Sequence, residues 1–276
     1  MENQNIPIAR APQPVQVGQS DIPVKQTYPT EFIDLPTEGH FYPPESPLSS
    51  GRIELKFMTA KEEDILTSQN LIKKGIVLDE LLKALIINPA IKLDDILIGD
   101  KNAIFIAARR LAYGDKYPAK IKCTECGEES EFVVNLSELH SKEFDFSKLS
   151  KGVNRFNYEL PQSKKNISYK LLTHRDEQSI DTELKSLSKI SPNGVSPEMT
   201  TRLKYMIVAI DGNEDRNLIK KFVDTELTAM DSRSLRSHIR GNNPDLDMNF
   251  DFTCPACGHT ARMALPLGVD FFWPSE

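Results

Sequence analysis

No run of apolar residues in this chain approaches the roughly 20 needed to span a bilayer. The opening residues, MENQNIPIARAPQPVQVGQSDIPVKQ, carry no apolar core of the kind a secretion signal requires. These two absences predict a chain made and kept in a cytosol, with no membrane partner. An excess of positive charge is missing as well. The formal net charge is -6, which argues against a dedicated nucleic-acid binder with a basic face. Short basic pairs (Lys73/Lys74, Arg109/Arg110, Lys164/Lys165, Lys220/Lys221) read as solvated helix faces. There is no Gly-rich loop of the P-loop or Rossmann type to cradle a phosphate. His40, His140, His174, His238 and His259 are scattered, with no Cys/His or Ser/His pair at a catalytic spacing. The acid pairs Glu62/Glu63, Asp94/Asp95 and Asp176/Glu177 fall at predicted helix starts, where negative charge offsets the helix dipole. The expectation is a protein that is not an enzyme and takes no small-molecule substrate.

Cysteine is scarce, with four in 276 residues, but the four are not scattered. They form two copies of one pattern. YPAKIKCTECGEESEFVVNL aligns with MNFDFTCPACGHTARMALPL, so that Cys123 matches Cys254, Cys126 matches Cys257 and Gly127 matches Gly258. The flanking apolar positions match too: Ile121 with Phe252, Phe132 with Met263, Val134 with Leu265, and Leu136 with Leu267. Each copy reads as strand, Cys-x-x-Cys-Gly turn, strand. Cytosolic thiols stay reduced, which disfavours disulfides, and two close pairs favour metal binding. Two cysteines three apart on a tight turn can aim both sulfurs at one ion, and the following Gly accepts backbone angles that a bulkier residue resists. One such turn supplies half of a tetrahedral site. The spacing therefore predicts a shared structural zinc ion on Cys123, Cys126, Cys254 and Cys257. A lone pair could be a redox motif. Other readings are four unmetallated core thiols, separate sites or substitution by His259, and iron–sulfur ligation on sulfur count alone.

The rest of the chain predicts an α+β fold: two Cys-x-x-Cys-Gly β-hairpins forming a split zinc ribbon, helices before the first, and a mainly helical insertion between them. Residues 1–28 read as a disordered or extended arm, and 29–276 as one domain. Within it, 117–136 and 248–267 are the ribbon halves and 137–247 the insertion. The Pro- and Gly-dense stretch after Tyr28 cannot be a regular helix; its aromatics are expected to pack along the body. Ile53, Leu55 and Phe57 alternate with charged residues, the period of a half-buried strand. Thr59 and Glu62 have capping-box spacing. Leu78, Leu81, Leu82, Leu85 and Ile86 form a helical stripe ended by Pro89, and Asp100 is expected to cap the next helix, which stops at Gly114. Strands are predicted at 155–160 and 167–172, followed by a helix capped by Thr173. After the SPNGVSP loop, Ser196 and Pro197 suit the start of a helix with Leu203, Met206, Ile207 and Ile210 on one face. A last helix ends in Arg236, His238 and Arg240 before Gly241. Phe271, Phe272 and Trp273 are expected to pack back onto the fold beside the second knuckle rather than to anchor a partner.

Several long phrases carry a resemblance. FIDLPTEGHFYPPESPLSSGRIELKFMTAKEEDILTSQNLIKKG, the CTECG knuckle and CPACGHTARMALPLGVDFFWP resemble the baseplate protein family of T-even-like, contractile-tailed bacteriophages, over most of the chain from about Tyr28 to Pro274. The resemblance implies a viral protein acting in the cytoplasm of an infected bacterium or in the virion tail. It would build the baseplate hub as a part or as an assembly factor, with baseplate hub or tape-measure proteins as partners. No catalytic residue comes with it. The competing reading is a zinc-ribbon nucleic-acid-binding or viral regulatory protein, against which stand Glu125, Glu128, Glu129 and Glu131 around the first knuckle.

Overall fold

The structure, a computed structural model, describes residues 29–190, 194–265 and 269–272. The predicted arm at 1–28, residues 191–193 of the SPNGVSP loop, Leu267 and Trp273 lie outside the described residues.

Strand β1 (Thr30–Asp34) pairs antiparallel with β2 (Arg52–Lys56), Ile33 facing Ile53. The alternation read in β2 is real: Ile53 and Leu55 are buried while Arg52 is exposed. Between the strands the Pro/Gly-rich stretch folds through turns and a short 3-10 segment, Pro47–Ser50. It sends Leu35, Phe41, Tyr42 and Leu48 into the core.

Four helices follow: α1 (Ala60–Thr67), α2 (Gln69–Lys74), α3 (Val77–Leu85) and α4 (Ile98–Tyr113). A capping box opens α1. The Glu62 carboxylate accepts from the Thr59 N–H at 3.0 Å and from its hydroxyl at 2.6 Å, and Lys56 adds an ion pair at 2.7 Å. In α3, Leu81, Leu82 and Leu85 are buried, and the helix ends at Leu85, ahead of Pro89. Two expectations for α4 need correction. Asp100 is not its cap: the helix starts at Ile98 after Leu97, and Asp100 sits buried in the first turn. There it accepts bonds from the Thr37 N–H (3.0 Å), the Thr37 hydroxyl (2.7 Å) and the Tyr42 hydroxyl (2.6 Å), stitching the preceding loop to the helix. Arg109 is not on a solvated face either. It is 2% exposed because its guanidinium is covered by the C-terminal segment, to whose Phe271 carbonyl Nε donates at 3.0 Å.

After α4 comes a hairpin of β3 (Lys116–Lys122) and β4 (Glu129–Asn135). The insertion contains more than helices. Strands β5 (Phe156–Glu159), β6 (Asn166–Tyr169) and β7 (Ile207–Ile210) form an antiparallel sheet in the order β5-β6-β7. Around it lie α5 (His174–Ile190), α6 (Glu198–Met206), α7 (Arg216–Lys221) and α8 (Ala229–Gly241). Thr173 caps α5 as expected, with Asp176 in the box position: Thr173 N–H donates to Asp176 at 3.0 Å, and Asp176 N–H to the Thr173 hydroxyl at 3.3 Å. Helix α6 begins one residue later than Ser196 and Pro197 suggested, with Pro197 preceding its first turn. The larger correction concerns Ile207 and Ile210. They lie in β7, where Ile210 faces Ile167 of β6, and not on the face of α6. A β-branched Ile-Val start and an open edge on β6 favour the extended state, although the same residues happen to fall at helical spacing.

The chain closes with β8 (Asn249–Thr253) and β9 (Thr260–Ala264), an antiparallel hairpin, and a short turn carrying Phe271 and Phe272. The molecule is thus mixed α and β with small antiparallel sheets. One buried apolar cluster runs from Leu35 through Leu82, Ile104, Ile167 and Phe252 to Phe272.

Candidate metal centre

The two hairpins repeat one another bond for bond. In the first, the Cys123 N–H donates to the Glu128 carbonyl at 2.8 Å and the Gly127 N–H to the Cys123 carbonyl at 3.1 Å. In the second, Cys254 donates to His259 at 2.8 Å and Gly258 to Cys254 at 2.9 Å. Gly127 and Gly258 hold φ of 75° and 72°, the left-handed region where a Cβ is strained, so the glycine after each second cysteine is required by the turn. Matched positions share burial. Ile121 and Phe252, and Val134 and Leu265, are core residues. In each knuckle the first cysteine is buried and the second exposed.

These turns bring the four sulfurs together. All four lie within 4.8 Å of one another, with Cys123 to Cys257 at 3.8 Å and Cys126 to Cys254 at 3.7 Å. A disulfide needs about 2.0 Å, so the thiols are unbridged. An ion bonded to four sulfurs at about 2.3 Å, the zinc–thiolate length, sets neighbouring sulfurs about 3.8 Å apart by tetrahedral geometry. The donor set fits such an ion in type and in spacing. His259, the alternative ligand, is not in the cluster; its ring faces the Thr124 hydroxyl across the two knuckles at 3.5 Å.

The electrostatics point the same way. Amide N–H groups of the turn, led by that of Cys126, pull the Cys123 thiol down to about 6. At Cys257 the His259 amide also pulls downward, but the Cys126 sulfur, desolvation and the other two sulfurs outweigh it and push the thiol up to about 12. The turn amides favour a thiolate at Cys123, and the crowded sulfurs oppose ionisation of Cys126 and Cys257. A divalent cation at the centre would remove that opposition.

Two further contacts hold the hairpins side by side. Phe132 of β4 stacks on Phe250 of β8 at 5.5 Å and meets Phe252 edge-on at 5.5 Å. The insertion also leaves and returns at one place: Lys142 N–H donates to the Asp245 carbonyl and Asp247 N–H to the His140 carbonyl, both at 2.8 Å. Phe271 and Phe272 do pack back, but onto Tyr117 of the first hairpin (4.9 Å) and Phe105 of α4 (5.9 Å) rather than beside the second knuckle.

One cluster escaped the sequence reading because its members come from three helices. Asp79 (α3), Lys101 (α4) and His174 (α5) meet in the wall of a cleft of about 670 Å³. Lys101 Nζ lies 2.8 Å from His174 Nδ1 and 3.1 Å from Asp79 Oδ1, and His174 Nε2 lies 3.2 Å from Asp79 Oδ2. An ammonium has no acceptor, so Nδ1 accepts from Lys101, while Nε2 lies between the Gln178 side-chain amide at 2.9 Å and Asp79 Oδ2 at 3.2 Å. Burial alone would raise the Asp79 carboxyl; the His174 bond and the Lys101 charge overcome it and hold the group well below the usual carboxylate range. The charges satisfy one another, which makes this a clamp between helices.

The chain matches the family model described as T4 bacteriophage base plate protein over residues 40–273. No curated protein and no solved structure matches it. The match covers β2, both knuckles, the whole insertion and the aromatic turn at Phe271, so it takes in every element that builds the four-sulfur cluster. On that extent the chain belongs to the T4 bacteriophage base plate protein family.

Proposed function

We propose that this chain is a non-enzymatic structural or assembly protein of the tail baseplate hub, its body locked by one structural zinc ion on Cys123, Cys126, Cys254 and Cys257. The observation that carries the metal is the single cluster made by two hairpins far apart in sequence, at thiolate–zinc spacing. Four thiolates fill a tetrahedral sphere and leave no position for water or substrate, so the ion supplies stability and holds the knuckles as a split zinc ribbon. Residues 29–276 then act as one unit. Family membership supports a role in the tail, in the host cytoplasm during assembly or in the finished virion.

The hub assignment is tested by recovering the tagged protein from infected cells and identifying what accompanies it. Baseplate hub or tape-measure proteins, in stoichiometric yield and resistant to nuclease, are the expected result. Recovery of polymerase or of nucleic acid instead would overturn it in favour of a regulatory zinc ribbon. The exposed Glu125, Glu128, Glu129 and Glu131 on the first knuckle weigh against that outcome, since phosphate is repelled there.

A further inference from the structure

A groove between α6 and α8 opens over the apolar core, with the exposed Met199 side chain at its mouth and two arginines at its edge. Met199, Leu203 and Met206 recur at helical spacing along α6, and Arg236, Ile239 and Arg240 along α8, so each helix turns one face to the same space. The groove encloses about 310 Å³ above a floor of Leu171 and Leu172, and its lining is mostly apolar. Ser232 of α8 approaches the Met199 sulfur at 3.9 Å.

The rim is cationic in a chain whose net charge is -6. Arg202 is already engaged, by Glu177 at 2.5 Å and Glu198 at 3.2 Å. Arg236 and Arg240 are not. Arg236 Nε donates to the Ser232 carbonyl at 3.3 Å, and among the described residues neither guanidinium has a carboxylate within ion-pair distance. Arg233 lies on α8 as well, exposed and likewise without an acidic partner among the described residues. The one acid of α8, Asp231, is buried and accepts from the Gln162 and Ser163 amides, and it makes no ion pair with these arginines among the described residues.

An apolar slot walled by flexible methionines and edged by two forked cations fits one kind of occupant. Thioether side chains adapt to an inserted aliphatic residue, and a guanidinium takes a carboxylate in a two-pronged bond. We propose that this groove docks an acidic, amphipathic helical segment of another tail protein, with aliphatic residues in the slot and carboxylates on Arg236 and Arg240. Nucleic acid fits worse. Phosphate contacts would use the rim arginines but leave the exposed Met199 side chain at the groove mouth uncovered. The inference rests on the reading of this chain as a protein that works by contact with tail proteins.

The test uses the full-length, zinc-loaded protein and a fluorescein-labelled amphipathic peptide of leucine, alanine and glutamate, about 16 residues long so that it can hold a helix. Binding is read by anisotropy, with a lysine-for-glutamate peptide and duplex DNA as competitors. The expected result is saturable binding, weakened about tenfold or more by Arg236→Glu with Arg240→Glu and by Met199→Glu, which places a carboxylate at the groove mouth. Neither competitor should displace the peptide. Unchanged zinc content and circular dichroism of the variants keep a folding defect from imitating the result. No binding by the parent, equal binding by the variants, or displacement by duplex DNA would overturn the groove. A failed hub capture alongside peptide binding would instead sink the hub assignment and leave the groove standing.

Discussion

The Sγ atoms of Cys126 and Cys254 stand 3.7 Å apart although 128 positions separate the residues in the chain. Covalent continuity cannot keep them there, so either an ion or the packing of the hairpins must. The packing contributes, and the share proposed for an ion can be separated from it. The stacking of Phe132 on Phe250 and the pairing of 140–142 with 245–247 already return the insertion to its starting point. Loop closure is therefore mostly complete without a metal, and the proposed ion would have the knuckle tips left to order. Cys254→Ser should lose the bound zinc measured by atomic emission and should make 254–265 sensitive to protease, while helical circular dichroism persists. One zinc per chain retained in that variant, with unchanged protease resistance, would reject the shared site.

What was legible in the sequence was whatever is written locally. The knuckles repeat within about 20 residues, the caps at Thr59 and Thr173 sit three residues from their partners, and the α3 stripe follows the helical period. Ile207 and Ile210 were misplaced because their spacing suits a helix as well as it suits β7; the edge of β6, some 40 residues earlier, decides the matter. The Asp100 and Asp79 clusters were invisible for the same reason. Thr37 and Tyr42 lie 63 and 58 positions from the Asp100 they bond, and no local period announces a meeting of that kind.

The Asp79 clamp makes a signed prediction. Its carboxyl is depressed in the folded protein, so its contribution is present above the unfolded value of about 3.9 and is lost as pH falls through the folded one. Asp79→Asn should destabilise the protein by about 2 kcal/mol at neutral pH, the scale of a hydrogen bond to a charged group. In thermal melts, the gap between parent and variant should close as pH drops below about 4. A gap that stays constant from pH 7 into the acid range would show that the charge on Asp79 contributes nothing.

Asp100 predicts the opposite slope. Burial pushes it up to about 6, against the pull of the Tyr42 and Thr37 bonds, so the folded state favours the protonated form. That stability is fully present below about 3.9 and is lost as pH rises through the folded value. Asparagine does not titrate. Asp100→Asn should therefore cost more, relative to the parent, at pH 4 than at pH 7, read by the same melts. A penalty that grows with pH would mean that the Tyr42 and Thr37 donors hold the ionised form after all.

The C-terminal aromatics decide between core and anchor. Phe271 is 1% exposed, sits 4.9 Å from the Tyr117 ring and offers its carbonyl to Arg109. Truncating a phenylalanine so enclosed typically costs about 3–5 kcal/mol, since the transfer of its ring and the cavity left behind both count. Phe271→Ala should lower the denaturant midpoint accordingly and expose the buried Arg109 guanidinium, which has one unpartnered nitrogen already. If Phe271 instead served a partner, the midpoint would barely move while recovery of hub proteins from infected cells fell. The ring packs on Tyr117 of the first hairpin and edge-on against Phe272, which itself packs on Phe105 of α4. Removing it loosens the turn from the hairpin and leaves Phe272 without its neighbour, which makes the first outcome the expected one.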